Sequence, residues 1–524
     1  MIKPLAAVAV CATLLAFSVP SATAAPSARP AAPDSPSPGV WTATAITETN
    51  VNAAVAALPG LIADVQRRTG VPGMAAAVVY QDRVQLSAGY GVREAGGSAP
   101  VNADTRFQMA SVSKPVAATV ISREVSKGTV AWDDPIRGEL PSFALKDPYV
   151  TKNVTIADMF SHRSGLPEHA GDDLEDIGYG RAQVLSRLRY LPLHPFRAVY
   201  DYTNFGLTAG AEAVARANKT SWESLARTEL FAPAAMNSSS YRFSDYWTAA
   251  NKALTHVKID GVWQHGETRN AQAQSAAGGL SSTANDMARW LRLQLADGTI
   301  DGKNLIKPEV LQLMRQPHMD SSPSKDPAGR SGGYGYGIGS SVDGTGHVRW
   351  SHSGAFAIGA GTTIAMVPDD ELGIVVMSNA QANGEAEAVA ESFLDIAETG
   401  TVQRDWLPLL AKFAFAPLYE NPSVLAGKPV PSGAKPSLPL ARYTGVYANP
   451  YFGPATIIER GGHLTMLLGP KKMAFPLTSW GGNDFSYTPT GENAVGITTV
   501  TFNPKAGTLL AEFLDKNGLG TFTK

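Results

Sequence analysis

The sequence predicts an α/β protein: one antiparallel sheet flanked by helices, an all-helical lobe inserted within it, and a small C-terminal β-barrel-like domain. Three observations carry this reading. Strand-type runs occur near both ends of residues 48–400, helical periodicity fills the stretch between them, and a Pro-rich segment then separates this block from a dense series of hairpins. Strands contributed by distant parts of a chain bury their faces by joining one sheet under helices, and the helical stretch between them forms a lobe beside it.

At the N-terminus, Lys3, an apolar run over 5–19, Pro20 and Ala22-Thr23-Ala24 predict a secretory signal, residues 1–24, cleaved after Ala24. The run is short for a membrane span, so stable insertion after cleavage is not expected. Residues 25–47 are rich in Pro, Ala and Ser and predict a disordered tether. Apolar residues at helical spacing over 51–68, closed by Gly70 and Pro72, predict the first helix. Runs over 74–80 and 84–90, separated by Gln81-Asp82-Arg83, predict a strand hairpin. Helical periods follow over 116–125, 156–160, 181–191, 205–217 and 285–295. Short apolar runs over 334–342, 347–351, 361–367 and 372–378 return the chain to the sheet, and 384–397 closes it with a helix. Six prolines within 417–439 predict a linker, 401–439, and the runs around Gly461-Gly462 and Lys505-Ala506-Gly507 predict hairpins of a second domain, 440–524.

Ser111 and Lys114 carry the first chemical signal. An apolar run ending at Ala110 turns into a helix there, so hydroxyl and amine lie one turn apart on one face. The positive helix end and desolvation both favour an uncharged Lys able to accept the Ser proton, which makes a nucleophile. The same spacing recurs at Ser322/Lys325 and Ser432/Lys435, among Pro, Gly, Asp and Ser, where no helix fixes the pair.

Tyr202-Thr203-Asn204 falls just before a helix. A phenol near Lys114 would have its anion favoured and could pass a proton to a leaving group, while Asn204 could hold a substrate carbonyl; a core aromatic and a helix cap are the plainer reading of the same residues. His352-Ser353-Gly354-Ala355 lies on a late strand, where His352 would relay a proton or meet an anion and the glycine lets backbone approach a ligand. The nine histidines make no zinc-binding spacing and there is no Gly-x-Ser-x-Gly, so zinc hydrolase and α/β-hydrolase chemistry are disfavoured and neither metal nor organic cofactor is expected. The single cysteine, Cys11, lies inside the signal, which removes thiol catalysis and disulfides from the exported chain. A formal charge of -2 offers no field for nucleic acid or anionic membrane, leaving small molecules or peptides as substrates.

Together, and in this order, Ser-Val-Ser-Lys at Ser111, Tyr-Thr-Asn at Tyr202 and His-Ser-Gly at His352, with supporting blocks at 156–167 and 277–283, resemble the serine β-lactamase and penicillin-binding-protein superfamily, in its class C β-lactamase, D-aminopeptidase and esterase branch. The resemblance implies a β-lactamase/transpeptidase-like fold, acylation of Ser111, proton handling by Lys114 and Tyr202, and an oxyanion hole from the backbone N–H groups of Ser111 and Ala355. It does not choose between Lys114 and Tyr202 as base. Many members carry Lys-Thr-Gly where this chain has His352-Ser353-Gly354, which replaces a permanent charge with one only partly present at neutral pH. The expectation is therefore a secreted or periplasmic amidase, peptidase or esterase, with D-amino-acid substrates in view. A β-lactamase or D-Ala-D-Ala carboxypeptidase is the rival enzyme, and a catalytically silent ligand-binding module the rival from another class. Residues 440–524 resemble a lipocalin-like domain through 443–453 and 518–522, read as a docking or homo-oligomerisation module.

Overall fold

The structure, a computed structural model, describes residues 43, 45–326 and 329–524. The expected signal and most of the expected tether lie outside the described residues. The tether's end does not behave as predicted: Ile46 is buried and its N–H donates to Asp370, while Thr47 caps the helix Glu48–Thr69 by accepting the Asn50 N–H. Gly70, at φ 72°, closes that helix in the left-handed conformation only glycine adopts without strain.

One eight-stranded antiparallel sheet dominates. Its spatial order is Arg83–Gly91, Gly73–Tyr80, Leu372–Ser378, Ala360–Val367, Val348–Phe356, Gly339–Val342, Gly332–Tyr334, Met319–Ser322. Alternation along the strands sorts side chains to two cores. Met74, Ala76, Val78, Ile374 and Val376 meet the helices Glu48–Thr69 and Glu385–Thr399 on one face. Ala75, Ala77, Val79, Val375 and Met377 join Val116, Val120 and Trp290 on the other, beneath the helical lobe. Each such Val, Ile or Met contributes roughly 1.5–3 kcal/mol by burial.

Two strand expectations need correcting. The run over 334–342 is two strands, because Gly335 donates to Ile338 and Gly337 takes φ 76°, making a turn. Met319–Ser322, outside the predicted runs, is the edge strand. The Pro-rich segment is also more than a spacer: it forms the helix Trp406–Leu410, buries Leu407, Phe415 and Leu425, and Tyr419 donates to the Ala382 carbonyl.

The C-terminal domain is a nearly closed barrel of eight antiparallel strands in sequence order from Gly445–Tyr447 to Thr521–Thr523, with Ala448 bridging to Thr523. Its interior is filled by Tyr443, Tyr447, Phe485, Phe502 and Phe522, with the Tyr443 and Phe502 rings 5.1 Å apart. The last predicted hairpin strand stops at Ala511, where Glu512 turns aside to accept from Ser423, Val424, Thr498 and Thr499.

Candidate active site

Ser111 sits in the tight turn Ala110–Val112, two residues before the start of the helix Ser113–Lys127 rather than at its opening. Phe107–Gln108 pairs with Ser281–Ser282, and Ala110 then takes φ 44°, a conformation costing a non-glycine residue on the order of 1–3 kcal/mol. Ser113 holds this turn, donating to the Ala110 carbonyl at 2.5 Å and accepting the Leu280 N–H at 2.9 Å.

Lys114 is fully buried on that helix, and its Nζ reaches three oxygens: Ser111 Oγ at 3.0 Å, Asn204 Oδ1 at 2.8 Å and the Ala277 carbonyl at 3.0 Å. Burial drives the ammonium down to about 7, against a smaller opposing pull from Asp172. That is on the order of 5 kcal/mol against the charged form. A neutral amine has two N–H bonds and one lone pair. The two carbonyl oxygens can only accept, so they take the hydrogens and the lone pair is left facing the Ser111 hydroxyl.

Tyr202 lies within the same cluster: its hydroxyl faces the Ser111 side chain, and Lys114 Nζ is 4.5 Å from its ring centre. The expected stabilisation of a phenolate is not found. Burial raises the Tyr202 hydroxyl far above its ordinary value, and the side chain of Ser111 offsets this only in part. Asn204 opens the helix Asn204–Ala217, gives Oδ1 to Lys114 and donates one Nδ2 hydrogen to Asp172 at 2.8 Å. Its second Nδ2 hydrogen remains for a substrate carbonyl. His162, in the supporting block 156–167, accepts the Thr203 N–H on Nδ1 and packs its ring 4.6 Å from Tyr202, centre to centre.

His352 projects from Val348–Phe356 toward this cluster, its ring centre 6.4 Å from that of Tyr202. Its Nδ1 meets the Ser353 carbonyl at 2.7 Å and its Nε2 meets the Tyr334 hydroxyl at 2.9 Å, so Nδ1 donates and Nε2 accepts. Burial, then the nearby Lys114, pushes its basicity down to about 3. His352 is thus a neutral ring, which corrects the expectation of a partly charged anion-binding group.

Ser353 is corrected as well. Strand alternation turns its side chain to the opposite face, where it meets Thr363 and Glu387, so only its backbone could touch a substrate. Gly354 lies against the Ser111 turn: a Cβ there would come within 2.5 Å of the Met109 carbonyl and 2.9 Å of Ser111 N. Thr362 fastens this approach by donating to the Met109 carbonyl at 2.8 Å. The neighbouring strand pairs only as far as Ser351, leaving the edge that carries Gly354 and Ala355 uncovered beside Ser111.

The beta-lactamase family matches residues 54–398. The chain belongs to that family. A domain of unknown function (DUF3471) matches residues 430–515. Among relatives of this beta-lactamase family member, penicillin-binding protein 4 of Amycolatopsis lactamdurans is 30% identical over 47% of this chain and 65% of its own length, just under two thirds. An unguisins hydrolase of Aspergillus campestris is 25% identical over 75% of both chains. The octameric penicillin-binding protein homologue from Pyrococcus abyssi superposes with a TM-score of 0.58 at 17% identity, covering 87% of this chain and 98% of that one, and shows the shared fold. The chain is accordingly a member of a serine-hydrolase family, with the large antiparallel sheet, flanking helices and extra barrel the sequence predicted.

Sequence reasoning missed Asp172, His169 and Tyr334. Asp172 Oδ2 receives Asn204 and faces His169 Nδ1 at 3.0 Å, behind Lys114; Tyr334 orients His352. Tyr334 stands in a run read only as strand, and His169 and Asp172 lie between the predicted elements, with no local spacing to mark them.

Proposed function

We propose that this protein is a secreted serine hydrolase that forms an acyl-enzyme at Ser111 and cleaves a small amide, peptide or ester, D-amino-acid substrates among them. The observation that carries the reading is the neutral-leaning Lys114, with both hydrogens committed elsewhere and its lone pair on the Ser111 hydroxyl.

In the first half-reaction Lys114 takes the Ser111 proton as Oγ bonds to the substrate carbonyl carbon. The carbonyl π pair moves onto oxygen, where the Ser111 and Ala355 N–H groups stabilise it. Collapse re-forms the carbonyl and breaks the bond to the leaving group. Tyr202 gives its proton to that group and recovers one from Lys114, so the neutral phenol acts as a relay rather than as the first base. Water then repeats the sequence in reverse, releasing acid and free Ser111. Asn204 keeps Lys114 in place and offers its remaining hydrogen to the substrate.

A neutral His352 favours this reading over β-lactamase or D-Ala-D-Ala carboxypeptidase activity, since those substrates present a carboxylate. The likeness to a penicillin-binding protein keeps that second reading in play. The test is turnover of D-amino-acid amides, short-chain esters and a penicillin by the purified protein and by Ser111→Ala. Loss of amide or ester hydrolysis in the variant supports the proposal. Undiminished hydrolysis refutes it, and a long-lived or rapidly hydrolysed penicillin adduct moves the assignment to the second reading.

A further inference from the structure

Among the described residues, the C-terminal barrel hydrogen-bonds to two segments of the first domain, and both adjoin walls of the Ser111 site. The first is the segment 169–180. On its inner side the His169 N–H donates to the Tyr202 carbonyl at 2.8 Å, and Asp172 holds Asn204. On its outer side Asp176, buried, accepts the N–H of Glu492 at 3.0 Å and both the N–H and the side-chain amide of Asn493 at 3.0 and 2.8 Å. Tyr179 donates to the Phe452 carbonyl at 2.9 Å. The approach is close enough that Gly491, at φ 105°, has no room for a Cβ beside Asp176, and Gly469 none beside Ile177.

The second place is the exit of the strand Val348–Phe356. Glu492 Oε1 accepts the Ala357 N–H at 2.6 Å, two residues beyond Ala355. Arg269 fills the space between the two walls, donating to Glu175 at 2.6 Å, pairing with Asp176 at 3.5 Å and lying 5.7 Å from the Phe356 ring centre. One loop of the barrel, 491–493, therefore ties the wall that orients Asn204 and Lys114 to the wall that carries Ala355.

We infer that the C-terminal domain is a working part of the active site and that Glu492 is a positioning residue for acyl transfer, acting through Ala357 on one side and Asp176 on the other. This rests on the proposed acyl-enzyme chemistry at Ser111. A docking module would need polar contact with any stable surface. Its buried polar contacts fall instead on the segment that holds Asn204 beside Lys114 and on the segment that follows Ala355. Misplacing such groups by about 1 Å can cost on the order of a hundredfold in rate.

The test uses the full chain and rates normalised to the Ser111 sites titrated by a fluorophosphonate, so that partial unfolding does not register as slow chemistry. Glu492→Ala should lower kcat per titrated site by roughly ten- to a hundredfold, with KM moved by less than about threefold. Glu492→Gln, whose amide oxygen still accepts from Ala357, should recover most of that loss. Asn493→Ala, a milder change that keeps both backbone contacts to Asp176, should lower kcat several-fold and covers the case in which Glu492→Ala does not fold. Wild-type kcat per site in Glu492→Ala and Asn493→Ala overturns the inference. Ser111→Ala is run alongside: if it is inactive while those variants are normal, only the positioning role fails, whereas full turnover in Ser111→Ala removes the underlying chemistry as well.

Discussion

Lys114 Nζ lies 3.0 Å from Ser111 Oγ, and that short contact is held from three directions. Helical spacing sets the two residues one turn apart, Asn204 and the Ala277 carbonyl take the amine's hydrogens, and burial brings its ammonium down to about 7.

Because burial brings the Lys114 ammonium down to about 7, kcat/KM should rise with pH through a single ionisation near 7 as the amine loses its proton. Lys114→Arg keeps a charge at every accessible pH, so it should lose roughly a hundred- to ten-thousandfold in kcat and show no such rise. A pH-rate profile of both proteins checks this.

Asp172 raises the Lys114 value through its negative charge. Asp172→Asn removes that charge, so the rising limb of kcat/KM should move to lower pH. It also weakens the partner of Asn204 Nδ2, so kcat on the plateau should fall. A limb that stays in place or moves upward would contradict the assignment of that ionisation to Lys114.

Tyr202→Phe keeps the ring beside His162 and Lys114 and deletes the proton relay. Amide hydrolysis should fall by roughly a hundredfold or more, since an amine leaving group must be protonated. A nitrophenyl ester, whose leaving group departs as an anion, should suffer much less. Equal losses on both substrates would point to a structural role for Tyr202.

How much of this was legible depends on the range of the interactions. Ser111, Lys114, Tyr202 and His352 stood out because each sits in a short run whose local structure is readable, and the resemblance of those runs supplied their convergence. Protonation states were not legible, since they are set by burial: the phenol of Tyr202 and the ring of His352 are neutral for reasons no neighbouring residue in sequence reveals. The outward turn of Ser353 follows from strand register, which the hydroxyl itself does not announce. Asp172 and Glu492 act across 32 and 135 residues of chain, to Asn204 and Ala357, and carried no local pattern.

The block 156–167 gives a stability prediction. Asp158 is buried, caps Thr155, and binds Arg163 and Arg197 at 2.8 Å each. Burial pushes its carboxyl up, but Arg197 and Arg163 prevail and hold it below its ordinary value. Asp158→Ala should cost roughly 3 kcal/mol in denaturant unfolding. For a depressed carboxyl the contribution is present above the unfolded value near 3.8 and is lost as pH falls through the folded one, so the gap between variant and wild type should close only in that acid range.

The most direct measurement is the pH dependence of covalent labelling by a fluorophosphonate, with the modified residue located by peptide mass. The account predicts a single adduct on Ser111 whose rate of formation rises through an ionisation near pH 7 and is lost in Lys114→Arg. An adduct on another residue, or a Ser111 labelling rate indifferent to pH and to Lys114, would contradict it.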